Sequence, residues 1–270
     1  MRRAIVVLGV LISAALQACG SGSVTEPDES SGPSSSRSEL SQGHQADVIT
    51  AACDITAALN EYRGLLGALN PNVVGEQPGG RREINWDGVP AVDTNTDTFP
   101  GDFFNQPVAG RARGAVFSTD GTGLRVSDNN FTDVNPDYAG DFKFFSPVRT
   151  FAAVGSNEVD VDFFVAGTST RALSAGFGVI FSDVDREGSA AIKLIAANGS
   201  SLGKYHAPTC PSGFSFVGVA FSSPVAARVE ITSGKGPLGS DAEDVSDRDH
   251  GPARDLVIMD DFIYGEPRAR

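Results

Sequence analysis

Acidic side chains at alternate positions in Glu158-Val159-Asp160-Val161-Asp162-Phe163 are the clearest candidates for chemistry in this chain. In a strand, the period of two places Glu158, Asp160 and Asp162 on one face and sends Val159, Val161 and Phe163 to the other. Two carboxyl groups held about 5 Å apart could act as nucleophile and acid/base in cleaving a glycosidic bond. A solvated outer strand face accounts for the same letters. Asp260 and Asp261 pose a different problem, because they interrupt the apolar run Leu256 to Tyr264. Neighbouring strand residues point to opposite faces, so one of these carboxylates must face a core or its rim. A buried carboxylate is costly unless paired or well hydrogen-bonded. The expected partner is a structural calcium ion held by Asp260 and Asp261, or an arginine such as Arg149 or Arg171.

Other acidic motifs are weaker. Asp183-Val184-Asp185-Arg186-Glu187-Gly188 begins like an oxygen-rich calcium loop, with glycine sixth, but Leu194 stands where the bidentate glutamate is required. A hairpin turn is the simpler reading. Asp241, Glu243, Asp244, Asp247 and Asp249 read as a solvated acidic loop. Serine nucleophile elbows and Gly-rich phosphate loops are absent, and His44, His206 and His250 lack zinc-ligand spacing. Trp86, the only tryptophan, lies among polar neighbours, and Tyr138 and Tyr205 lie near turns. Each offers a flat apolar face on which a sugar would stack. Core packing is the competing expectation for Trp86.

The start of the chain speaks about location. Arg2 and Arg3 precede an apolar run from Ala4 to Leu16, and Leu16-Gln17-Ala18 precedes Cys19. This order marks a secretory signal over residues 1–18, and its end resembles the bacterial lipobox, in which the cysteine is diacylated. The resemblance implies a lipid anchor on Cys19. With Gly20 next, the outer membrane is the expected destination in a two-membrane bacterium. An ordinary secretory signal is the alternative. Lipid on Cys19 leaves Cys53 and Cys210 as an even pair in an oxidising compartment, either bridged or as two buried thiols.

Composition bounds the rest. The chain has 270 residues, 40% of them hydrophobic, and 21 basic against 34 acidic side chains. That acidity argues against nucleic acid as a partner. Residues 19–46 are rich in serine and glycine, with almost nothing apolar to order them, and read as a flexible tether with a mean reach of roughly 30 Å. From Asp47, apolar residues at helical spacing predict an amphipathic helix over 47–69. Beyond Gly79, nine or ten short segments separated by glycine and aspartate turns predict an all-β antiparallel sandwich of jelly-roll type, the whole domain covering 47–267.

Three segments, Gly80 to Pro90, Gly176 to Asp185 and Met259 to Gly265, resemble an uncharacterised family of exported bacterial proteins with a lectin-like jelly roll. The resemblance implies the sandwich and a glycan or cell-envelope partner, and calcium is common in such carbohydrate-binding folds. The 158–163 strand is similar to the acid strand of sandwich-fold glycoside hydrolases, although it ends in aspartate where those carry glutamate. Three readings follow: a membrane-tethered, non-catalytic binding protein, a glycoside hydrolase or lyase using Glu158, Asp160 and Asp162, and a purely structural or adhesion protein of the envelope.

Overall fold

The computed structural model describes residues 34–39, 45–244 and 254–270. Cys19 and the expected signal segment over residues 1–18 lie outside them. Among the described residues the elements run β1 (Ser34–Glu39), β2 (Gln45–Ala52), α1 (Thr56–Leu66), β3 (Arg81–Ile84), β4 (Ala115–Ser118), β5 (Gly123–Ser127), β6 (Thr150–Val154) and β7 (Glu158–Phe163). They continue with β8 (Ala172–Leu173), β9 (Gly176–Val184), β10 (Ala190–Ala196), β11 (Ser201–His206), β12 (Cys210–Phe221), β13 (Ala226–Ser233), β14 (Ile258–Gly265) and β15 (Arg268–Ala269).

The expected antiparallel sandwich is present. One sheet has the order β1-β2-β12-β9-β14-β6-β5, with β3 also paired to β14, and the facing sheet has the order β11-β10-β13-β7-β4. Consecutive strands cross repeatedly between the two sheets, as in a jelly roll. The alternation in β7 and β13 works as the period of two requires: Val159, Val161, Phe163, Val229 and Ile231 enter the core between the sheets. Strand β9 shows no alternation, since all nine of its residues are buried. It runs through the middle of a sheet covered on both faces.

Trp86 anchors the core. Its ring stacks on Phe151 with centroids 4.0 Å apart, and Phe104 and Phe262 meet it edge-on. Its indole N–H donates to the carbonyl of Asp260 at 2.7 Å. With 0% exposure, Trp86 is unavailable to a sugar, which corrects the ligand-stacking expectation.

The predicted helix over 47–69 is also corrected. Its first part is strand β2, paired in register with β12 from Ala46↔Phe221 to Ala52↔Ser215. Cys53 then adopts a left-handed backbone, with φ of 64°, before α1 begins. The apolar spacing misleads because both faces of β2 are covered: Ala46 and Val48 face the inter-sheet core, and Ile49 and Ala51 lie beneath α1. The tether expectation changes as well, since Ser34–Glu39 pairs with β2 as an edge strand. Unpaired backbone groups at a sheet edge accept a polar segment that has no apolar side chains to contribute.

Helix α1 packs Ala58, Leu59, Tyr62 and Leu66 onto the outer face of the larger sheet. Gly178 and Gly218, paired across β9 and β12, leave room for the Tyr62 ring. A Cβ at either would come within 2.8 Å of it. The Tyr62 hydroxyl donates to the Val219 carbonyl at 3.1 Å. A disulfide joins Cys53, between β2 and α1, to Cys210 at the start of β12, with Cα atoms 5.5 Å apart and a sequence separation of 157. No helix among the described residues is long and apolar enough to cross a membrane.

Closing so long a loop is worth about 4 to 5 kcal/mol in the chain-entropy model. We expect reduction, or the Cys53→Ser/Cys210→Ser double substitution, to lower the unfolding free energy by about 2 to 5 kcal/mol, read from urea denaturation midpoints.

Candidate functional site

The smaller sheet turns one face inward to the core and the other to solvent, and the outward face is polar. Register fixes its arrangement. Asp162 of β7 stands opposite Arg228 of β13, Asp160 opposite Glu230, and Glu158 opposite Thr232. Glu230 in turn faces Lys193 of β10, and Lys193 faces Lys204 of β11. Ser118 of β4 pairs with Asp160. A single transverse row, Ser118-Asp160-Glu230-Lys193-Lys204, therefore crosses all five strands. Around it lies a groove of about 360 Å³ lined by Asp120, Glu158, Asp160, Lys193, Lys204, Glu230 and Thr232.

The three acids of β7 share this face but not one environment. Arg228 grips Asp162 through two hydrogen bonds of 3.1 Å, and Arg171 adds a contact at 3.2 Å. Arg228 also reaches Asp160 at 3.3 Å. Burial pushes the Asp160 carboxyl above its ordinary range, against the opposing pull of Arg228. Glu158 is exposed. Lys193 and Glu230 form an ion pair at 2.8 Å. Glu158 and Asp160 enter the groove together, whereas Asp162 is held beyond it by arginines.

The aromatic candidates do not join this site. Tyr138 is buried, donating its hydroxyl to the Gly239 carbonyl at 2.9 Å and packing on Phe142. Tyr205, half-buried on β11, packs against the core and donates to the Leu202 carbonyl. Tyr138 is anchored by a residue 101 positions away and Tyr205 by one three positions before it, contacts that turn-like neighbours in the sequence did not disclose.

Asp260 and Asp261 are 0% and 5% exposed. The register of β14 against β9 shifts between Met259 and Phe262, so Met259 and Phe262 both point inward and the two aspartates share a bulge. This explains why adjacent residues meet instead of facing apart. The Phe145 amide donates to Asp260 at 2.7 Å, and the Ser146 hydroxyl lies 3.1 Å from Asp260 and 2.8 Å from Asp261. The carboxyls are also hydrogen-bonded to each other. Burial, then the neighbouring Asp261, pushes the Asp260 carboxyl up to about 9, and burial raises Asp261 too. Neither expected arginine serves them: Arg149 bonds the Thr94 hydroxyl and the Asp87 carbonyl, and Arg171 is spent on Asp162. The side-chain oxygens gathered here are two carboxyls and one serine hydroxyl, against the six to eight oxygens calcium takes.

Sequence reasoning missed a second acidic cluster. Asp183 and Asp185, at the end of β9, meet Asp244 from the distant loop, and one oxygen from each lies within 4.8 Å of the others. Only the fold could bring Asp244 there. Its reading as part of a solvated acidic loop is corrected by its place against two residues that were assigned to a turn. Burial pushes Asp183 up to about 8, with the Asp185 and Asp244 charges adding to the rise and the Ser212 amide opposing it.

No protein-family model and no curated protein sequence matches the chain. The resemblance of the three quoted segments to an exported family therefore gains no support from one. Among solved structures, the enzymatically active domain of tailspike protein 4 of bacteriophage CBA120 is 16% identical, over 66% of this chain and 22% of that one, with a TM-score of 0.27. A glycoside hydrolase family 43 arabinoxylan arabinofuranohydrolase from Bacillus subtilis, in complex with cellotetraose, is 12% identical over 88% of this chain and 41% of that one, with a TM-score of 0.28. This chain spans less than half of either, and likeness at that level carries neither a fold nor an activity across.

The paired aspartates of β14 make a pH-dependent term in stability. Folded Asp260 keeps its proton to about 9, whereas an unfolded aspartate releases it near about 4. Across that window the folded chain binds more protons, so this term is fully present below about 4 and is lost as pH rises to about 9. We expect denaturation midpoints to fall from pH 5 to 9, and Asp260→Asn to flatten the slope by up to about 1.4 kcal/mol per pH unit. Identical slopes in the two proteins would contradict the shared proton.

Proposed function

We propose that this protein is an exported, lipid-anchored β-sandwich that binds carbohydrate of the cell envelope or its surroundings without cleaving it. The observation that carries the reading is the polar groove across the smaller sheet. Its volume falls in the range of small-ligand sites. Its lining sets acceptors on one side, Asp120, Glu158, Asp160 and Glu230, beside donors on the other, Lys193 and Lys204, and a hydroxyl-rich ligand can use both. Pairing supports the non-catalytic reading: Arg228 holds both Asp160 and Asp162 in ion pairs. Lipid on Cys19 would secure the chain to a membrane, most simply the outer membrane.

Hydrolysis by Glu158 and Asp160 is the second reading, favoured by their shared groove and by the raised Asp160. One experiment separates the two. The full-length protein is applied to a glycan array, and bound glycans are assayed for release of reducing ends. We expect binding without cleavage, weakened at least about tenfold in Lys204→Ala and Glu230→Gln, the loss of about 1.4 kcal/mol expected for one polar contact. Cleavage abolished by Glu158→Gln would establish the enzyme instead. Retention of glycan binding in both groove variants would move the site elsewhere. Membrane fractionation of Cys19→Ser checks the anchor, with release into the soluble fraction expected.

A further inference from the structure

We infer that the groove of the smaller sheet selects a zwitterionic glycan, one that carries a free ammonium group and an acidic group, carboxylate or phosphate, on sugars of the same short chain. The inference rests on the reading of the groove as a carbohydrate site and names the class of glycan that it takes.

The charges of the transverse row are sorted by sign. From β7 to β11 its charged members are Asp160, Glu230, Lys193 and Lys204, each directly opposite the next across a strand pair. Two of these three contacts set like charges against each other, Asp160 against Glu230 and Lys193 against Lys204. Like charges directly opposite destabilise a strand pair, whereas opposite charges stabilise it. An alternating order of the same four side chains would pair them all. The order present pairs only the middle two, Lys193 and Glu230, at 2.8 Å. Arg228, one row away, relieves Asp160 at 3.3 Å. Lys204 is exposed and has no ion pair among the described residues. A ligand whose two ends carry opposite charges complements such an order and offsets its cost.

The rest of the lining strengthens this polarity. Glu158 and Asp120 add two carboxylates at the β7 end of the groove. The turn that carries Asp120 is tied there by the Thr119 hydroxyl, which donates to the Glu158 carbonyl at 2.7 Å. Neither Glu158 nor Asp120 has an ion pair among the described residues. Adjacent strands lie about 4.8 Å apart, so β7 and β11, three spacings from each other, are separated by about 14 Å. That distance exceeds the Debye length of about 8 Å at physiological salt, so Lys204 does not cancel the acidic end through solvent.

The two ends therefore act as separate charged sites on one groove. The ammonium group of an amino sugar donates to the carboxylates at β7, and an acidic substituent further along the chain accepts from Lys204. Between them the Lys193 and Glu230 pair is exposed at the surface, contributes little to stability, and leaves its remaining donors and acceptors to sugar hydroxyls. A span of this length suits a short oligosaccharide better than a single sugar. A neutral glycan gains nothing from the charges at either end. A purely anionic one meets Glu158 and Asp120 with like charge, which counts against it.

The test titrates the full-length protein calorimetrically with three tetrasaccharides of alternating glucosamine and glucuronic acid. One has free amines and free carboxylates, the second has its amines acetylated, and the third has its carboxylates reduced to alcohols. At about pH 6 the free amines are protonated. We expect the first to bind at least about tenfold more tightly than either of the others, the factor for one charge-assisted contact. In the Glu158→Gln/Asp120→Asn double variant the advantage over the acetylated sugar should disappear while that over the reduced sugar remains. Lys204→Ala should do the reverse, and Lys204→Arg should restore the wild-type order. These are ratios within one variant, so a general loss of structure does not imitate them. Equal affinities of the wild-type protein for all three sugars, or loss of both advantages alike in both variants, would overturn the inference and leave carbohydrate binding standing. Failure of all three to bind, with neutral glycans retained on the array, would overturn it equally. Absence of any glycan on the array would instead remove the groove reading on which it rests.

Discussion

The ion pair between Arg82 and Glu266 is the constraint on which the arrangement of the larger sheet rests. Both side chains are out of water, and two hydrogen bonds of 2.5 and 2.8 Å join them. A buried pair of this kind stabilises little relative to an apolar substitute, but losing one partner strands the other charge at a cost of about 3 to 5 kcal/mol. Its further contacts explain its reach. Arg82 also donates to the carbonyls of Pro71 and Ala112, while Glu266 accepts from Asn70 and the Gln77 amide. Two loops with no regular structure of their own are thereby tied to the ends of β3 and β14. With β3 held alongside β14, Trp86 follows directly into the space between the sheets, and its indole N–H reaches the β14 bulge.

The two sheets divide the work by how they are covered. The larger sheet has the inter-sheet core on one face and α1, together with the cluster around Phe131, Tyr138 and Phe142, on the other. Covered on both sides, it carries the buried acids, the disulfide and the glycine pair under Tyr62. The smaller sheet keeps its outer face wet, and a row of charges crosses all its strands there. The ligand recognition proposed above uses that face, where donors and acceptors can exchange water for hydroxyls without burying a charge. The carboxylates of the covered sheet face the opposite problem, and at the β14 bulge Asp260 and Asp261 answer it by hydrogen bonds to Ser146 and to each other.

Legibility in the sequence followed the same division. Strands β7 and β13, half-buried, wrote their period of two plainly, and their outward residues were identified with the right face. Strand β2 did not, because residues on both its faces are apolar and their spacing is compatible with a helix. Trp86 among polar neighbours resembled a ligand platform, since local sequence does not record that five other aromatic rings converge on it. Cys53 and Cys210 were expected as a pair, bridged or as free thiols, once Cys19 was read as a lipid anchor, while their closure to a Cα separation of 5.5 Å was a matter of the fold.

The sequence by itself determined the class of architecture and the polar face of β7, because alternation and turn residues are local properties. Tertiary structure alone decided which acids meet. A one-residue bulge turned Asp260 and Asp261 toward each other, and the path of the chain carried Asp244 to Asp183 and Asp185. Burial and charge proximity depend on residues far apart along the chain, and no spacing rule within one segment encodes them.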